Sequence, residues 1–153
     1  MPRQILKLEG FKELDDALSE LPKAVSRNVL RGSLKKEGEP IRAAGEAYAP
    51  KLSGELKQSY TIGTKLSRRQ KKQNRKLSPV EVYIGPTPHA KSVQTEFGNA
   101  HQAAQPHLRP AFDGNVMKVL DGLKATIADK IERARVRLAK KAERLAAQIR
   151  AQK

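Results

Sequence analysis

The sequence predicts an α+β fold: two N-terminal helices and a long C-terminal helix packed on a small antiparallel β-sheet with a long basic hairpin loop. Three observations lead there. Apolar residues recur at helical spacing toward both ends of the chain. They alternate along two short stretches in the middle. Between those stretches, residues 65–76 carry seven Lys/Arg and no acid.

The first helix covers Gly10–Leu21, where Phe11, Leu14, Leu18 and Leu21 share a face, acids sit in the first turns and Pro22 stops it. A longer helix follows from about Lys23. Its stripe is Val25, Val29, Leu30, Leu34, Ile41 and Ala44, with a kink expected at Gly38-Glu39-Pro40 and an end at Ala49-Pro50. Tyr60, Ile62, Thr64 and Leu66 fall on one face of a strand, and Val80, Val82 and Ile84 on one face of another, closed by Gly85-Pro86. The two strands read as an antiparallel pair joined by Lys65–Lys76. That connection is far longer than the usual two to five residues, the mark of a functional arm or a disordered tip. After a stretch punctuated by Pro and His (Pro86 to Pro110), the last helix starts near Asp113. Its stripe runs Val116, Leu120, Leu123, Ile127, Ile131, Ala134, Leu138, Ala142, Leu145 and Ile149, a mean step of about 3.67 residues that keeps the seam straight or slightly right-handed. The last twenty residues read as a helix projecting from the domain, whose apolar seam favours packing on another helix.

The chain has 153 residues, a net charge of +15, 38% apolar and 4% aromatic side chains and no Cys or Trp, so one domain with a modest core is expected. Residues 1–64 carry net +2, 65–76 net +7, 77–129 net −1 and 130–153 net +7. The charge therefore divides the chain into a nearly neutral body, 1–129, with the basic tip set into it, and a basic helical extension, 130–153. Without Cys there is no disulfide framework, thiolate zinc site or Cys nucleophile. The stretch Met1–Lys7 has no apolar core and no run of 18 apolar residues occurs, so neither a signal peptide nor a membrane span is expected, and the protein should be soluble and made inside the cell.

No catalytic pattern emerges. His89, His101 and His107 stand 12 and 6 residues apart, matching no helical metal pair, with only Glu96 nearby. The glycines are dispersed rather than gathered in a phosphate-cradling loop, Ser53 and Ser59 lack a His/Asp constellation, and Asp15 and Asp16 point apart on their helix. The expectation is a protein that is not an enzyme and takes no metal or cofactor. Lys65, Arg68, Arg69, Lys71, Lys72, Arg75 and Lys76 instead nominate a contact with phosphate backbone or an acidic protein surface. No aromatic interleaves them, so a DNA contact would be sequence-independent.

A series of short motifs is carried in a definite order: Gly10-Phe11-Lys12-Glu13-Leu14, Leu21-Pro22-Lys23, Ala49-Pro50-Lys51-Leu52-Ser53-Gly54-Glu55-Leu56-Lys57-Gln58-Ser59-Tyr60, Val82-Tyr83-Ile84-Gly85-Pro86, Thr95-Glu96-Phe97-Gly98 and Gln105-Pro106-His107-Leu108-Arg109-Pro110-Ala111-Phe112. Over roughly residues 10–125 this order resembles the neck or tail-component family of long-tailed double-stranded DNA phages, found also in prophages and gene-transfer particles. Two positions depart from the family pattern: His107 replaces an aromatic and Gly98-Asn99 replaces Gly-Thr. The basic tip and the tail beyond Lys130 exceed the family's usual length.

The resemblance implies a virion structural protein, a hexameric ring at the neck or head-proximal end of the tail, with other neck and tail proteins as partners and no membrane. Tail completion, tail termination and a neck ring all remain open. Pro50, Gly54, Leu56, Glu96, Phe97, Gly98, Arg109 and Pro110 are then the residues of fold motif or subunit interface. Glu96 would sit at an element edge with Arg109 as its partner, Pro106 and Pro110 would fix the approach of the last helix, and Leu108 and Phe112 would pack beneath it. The basic tip would line a channel crossed by DNA, held weakly enough for passage, or grip an acidic ring. The alternative reading is a freestanding, non-specific nucleic-acid-binding protein, which explains the charge but none of the ordered motifs.

Overall fold

A computed structural model describes residues 11–50, 54–87 and 90–151. The Gly10 helix start, Lys51–Ser53 of the turn motif and His89 lie outside the described residues. The structure is mostly helical with one two-stranded antiparallel sheet: α1 (Phe11–Ser19), α2 (Lys23–Glu37), α3 (Glu39–Tyr48), α4 (Glu55–Gln58), β1 (Tyr60–Gly63), α5 (Arg68–Gln73), β2 (Tyr83–Pro86), α6 (Ala90–Phe97) and α7 (Leu108–Ala151). No helix among the described residues is long and apolar enough to cross a membrane.

Where two N-terminal helices were expected, three form. The kink at Gly38 is a break, because Pro40 in the first turn of α3 has no N–H to return to the Lys36 carbonyl. The chain nevertheless continues with the Gly38 amide on the Leu34 carbonyl (3.0 Å). α3 then ends at Tyr48, with Ala49 as cap, as the following Pro50 dictates. The strands are shorter than the alternation suggested. Tyr60 pairs with Pro86 and Ile62 with Ile84, while Val80 is buried in a bend before the second strand.

Two further corrections concern the stretch after β2. It contains α6, which its eight residues and single apolar turn did not announce. The last helix starts at Leu108 rather than near Asp113. Pro110 is its third residue, where the missing N–H would have had no partner within the helix.

The chain divides into two compact units, one of Met1–Leu30 with Lys124–Lys153 and one of Arg31–Leu123. In the first, the apolar stripes of α1, α2 and α7 meet: Leu18, Leu21, Val29, Ile127, Ile131 and Ala134 are buried, and Arg135 pairs with Glu20 at 2.7 Å. The basic segment after Lys130 is thus packed as far as Ala134, Leu138 is half-buried, and the helix is exposed from Ala139 onward. In the second unit, Ala49, Leu56 and Tyr60 form a core cluster closed by Leu108, and Ile41, Val80, Ala111 and Leu123 are also buried.

Candidate functional site

Most of the motif residues meet at one node of the second unit. Leu56, on the single turn of α4, and Tyr60, opening β1, are buried beside Ala49. The entry into α4 depends on Gly54, its N-cap, which stands in the left-handed region (φ 72°). Pro50 lies half-buried just after α3. The Tyr60 ring lies over α3 at Gly45, where an added Cβ would stand 2.9 Å from Cζ and closer still to Cε1. Its hydroxyl shares a hydrogen bond with His107 Nδ1, and the two rings meet edge-on at 5.8 Å and 74°.

Glu96 holds the other side of the node. After α6, Gly98 turns the chain at φ 75°; a Cβ there would lie 2.8 Å from the Ala104 amide nitrogen, so only glycine suits the turn. The returning segment is fixed by the Gln105 amide on the Thr95 carbonyl (2.8 Å), which brings the start of α7 against α6. There the Glu96 carboxylate accepts three backbone amides: His107 (2.8 Å) and Leu108 (2.9 Å) on Oε2, Arg109 (3.1 Å) on Oε1. A buried carboxylate thus satisfies the orphan donors of a 44-residue helix and sits at the positive end of its dipole.

Electrostatics follow from this geometry. Burial alone would push the Glu96 carboxyl up, but the three amides and nearby His107 overcome it and its pKa is lowered. Burial lowers the pKa of His107, against opposing pulls from Glu96 and the Ser92 backbone, so the imidazole is neutral at pH 7. Burial, with Glu96 adding to it, pushes the Tyr60 hydroxyl up. The node is therefore one carboxylate, one neutral imidazole and one phenol. Each makes bonds within the fold.

The expected Glu96–Arg109 pair is corrected in kind. Glu96 takes the Arg109 backbone amide, while the guanidinium lies 5.6 Å from the centroid of the Phe97 ring. Phe112 does not pack beneath the last helix as expected. It is half-exposed, and with Ile41, Val82, Ile84, Phe97 and Leu108 it lines an open apolar groove of about 440 Å³. Phe97, 65% exposed, is the most prominent aromatic of this face. Pro110 is exposed.

The basic tip is built differently from an open loop. Ser67 begins a six-residue helix, α5, through a capping box: its Oγ accepts the Gln70 amide (3.3 Å) and the Gln70 side chain accepts the Ser67 amide (3.1 Å). Arg68, Arg69, Lys71 and Lys72 lie on that helix, Lys65 precedes it, Arg75 and Lys76 follow it, and all seven are exposed. Among the described residues none of the seven pairs with a carboxylate. The tip is tied back to β2 by the Asn74 side chain on the Tyr83 hydroxyl (3.1 Å), which in turn bonds Glu81. That bond pushes Tyr83 up and Glu81 down.

The sequence placed the seven cations together but did not reveal the Tyr60–His107 contact of the node or the meeting of Ile41 and Phe112 at the apolar groove. The one local signal was Ser67-x-x-Gln70, a readable capping box. Among the described residues no group of three or more His, Asp or Glu could hold a metal ion. No protein-family model, curated protein or solved structure matches this chain.

Proposed function

We propose that the chain is a structural protein of a tailed phage, a ring-forming subunit of the neck or head–tail connector, or of tail completion at the head-proximal end of the tail. It acts by assembly rather than by catalysis, and needs no cofactor. The observation that carries the reading is the convergence of motifs. Ala49-Pro50, Gly54 to Tyr60, Glu96-Phe97-Gly98 and His107 to Pro110 are scattered over sixty residues yet serve one node. That gives the resemblance to the phage neck and tail-component family a physical centre.

Two surfaces support an assembly role. The apolar face around Phe97 and Phe112, with Arg109 at its edge, suits contact between hexamer-forming subunits. The unpaired cations of α5 suit the phosphates of double-stranded DNA passing through a ring, or an acidic ring of another neck or tail protein. In this reading the protein resides in the virion after synthesis in the host cytoplasm.

The test is electron microscopy of lysates from the parent phage carrying an early stop codon in this gene. DNA-filled heads beside separate tails, or overlong tails, are expected. Normally joined particles would overturn the reading. The exposed α5 cations also favour a second reading, a non-specific DNA-binding protein. Duplex binding that collapses between about 50 and 200 mM salt with a log–log slope of roughly −6 would support it.

A further inference from the structure

The first unit carries a surface that the proposed function leaves unused. Between the first turns of α2 and the middle of α7 lies an open groove of about 450 Å³, walled by Val25, Asn28 and Val29 on one side and Ala134, Arg137 and Leu138 on the other. The floor continues the α7 stripe. Ile131 and Ala134 are covered, Leu138 is half-covered, and Leu145 and Ile149 are 50% and 62% exposed. The helix therefore keeps a core-like seam for four turns beyond the point where α1 and α2 cover it.

Beside that seam runs a second pattern. Lys130, Arg133, Arg137, Lys141 and Arg144 recur at steps of three and four, which places them in one ridge along a single flank of the stripe. The acids of this segment, Glu132 and Glu143, fall on the other flank together with Arg135, which pairs with Glu132 and Glu20, and Arg150. Arg133 pairs with Asp129, but among the described residues Arg137, Lys141 and Arg144 have no carboxylate partner. The apolar seam and the ridge of cations that runs along it without acids of its own together specify the occupant. A second copy of the segment would bring nine cations and two acids against the same composition, which repels. A groove between two helices admits a rod rather than a plane, which disfavours a bilayer surface. Duplex DNA would meet the cations but leave Leu145 and Ile149 uncovered.

We infer that the α2–α7 groove and the exposed seam of α7 form a docking site for an amphipathic helix of another protein, with apolar residues along its seam and acidic residues along one edge. The site is independent of the basic tip and of the face around Phe97.

The experiment titrates the full-length chain into a labelled designed helix with Leu along its seam and Glu along one edge, and into its counterpart with Lys at that edge. The Glu-edged peptide should bind at micromolar concentration and the Lys-edged one at least about tenfold more weakly. R137E/K141E/R144E should lose binding at least about tenfold, and so should L145N/I149N. All five sites are exposed, so the circular dichroism spectrum and melting curve serve as the folding control. R68Q/R69Q should bind as the wild type does. Equal binding of both peptides, or unchanged binding by L145N/I149N, would overturn the inference. So would a chain that binds duplex DNA or phosphatidylglycerol vesicles through Arg137, Lys141 and Arg144 but not the Glu-edged peptide.

Discussion

Glu96 is the residue on which the second unit turns, because it joins two helices that are not joined by local sequence. Its carboxylate caps α7 from a helix eleven to thirteen residues upstream, and replacing it with Ala strips three amides of their acceptor at once. Side-chain caps are worth about 0.5–2 kcal/mol, and a buried, charged acceptor of three donors belongs at the upper end of that range. Glu96→Ala should therefore lower the melting temperature by several degrees, and Glu96→Gln by less, in a thermal unfolding measurement. Gly45→Ala is a second test at this scale. Alanine is the better helix former, yet here its Cβ meets the Tyr60 ring, which His107 holds in place, so the substitution should destabilise rather than stabilise.

The same residues set an acid response. His107 has its pKa lowered by burial, so its contribution to stability is complete above its unfolded value near 6.5 and is lost as pH falls toward the lower folded value. Glu96, lowered on balance by its amide partners, adds a contribution that is lost further down, below its unfolded value near 4.5. Melting temperature should thus decline from about pH 6.5 downward. His107→Phe should flatten the first part of that decline and leave the lower part, as a series of melts across pH would register.

At the scale of elements, the long apolar stripes were legible and the side-chain bridges were not. The seam of α7 reads directly from Val116 to Ile149; it is buried from Leu123 to Ala134 and exposed past Ala139. Proline positions marked the ends of α1 and α3 for the same reason in each case, a missing donor and a restricted neighbour. α6 was not legible, because its role is carried by Glu96 binding backbone amides, and an amide has no sequence signature. α5 has no apolar period at all. What makes it a helix is the Ser67–Gln70 box, so Ser67→Ala should unwind it and weaken any contact that needs its cations on a helix, while leaving global unfolding within about 0.5 kcal/mol. The fold class and the basic tip were therefore visible from pattern. The node was not, since Tyr60 and His107 are 47 residues apart and meet only after α6 turns the chain at Gly98.

For the whole molecule, the excess charge is confined to two segments of the chain that do not contribute to the node. The node and its apolar face lie in a nearly neutral part of the chain, while the two +7 segments sit on α5 and on the second half of α7. That separation predicts separable defects. Arg68→Gln, Arg69→Gln, Lys71→Gln and Lys72→Gln together should leave the melting temperature nearly unchanged, since all four are exposed and among the described residues none pairs with a carboxylate, yet impair particle assembly or DNA passage in a plaque assay. Phe97→Asp with Phe112→Asp should also preserve the fold, both rings being at least half-exposed, but should abolish association of subunits. Membership of this chain in a virion ring is decided by quantitative mass spectrometry of purified parent particles. The chain should be present in every particle at a small fixed copy number, six for one hexameric ring, in constant ratio to the other neck and tail proteins. Particles that are infectious and lack the chain, with the protein left behind on DNA in the lysate, would contradict it.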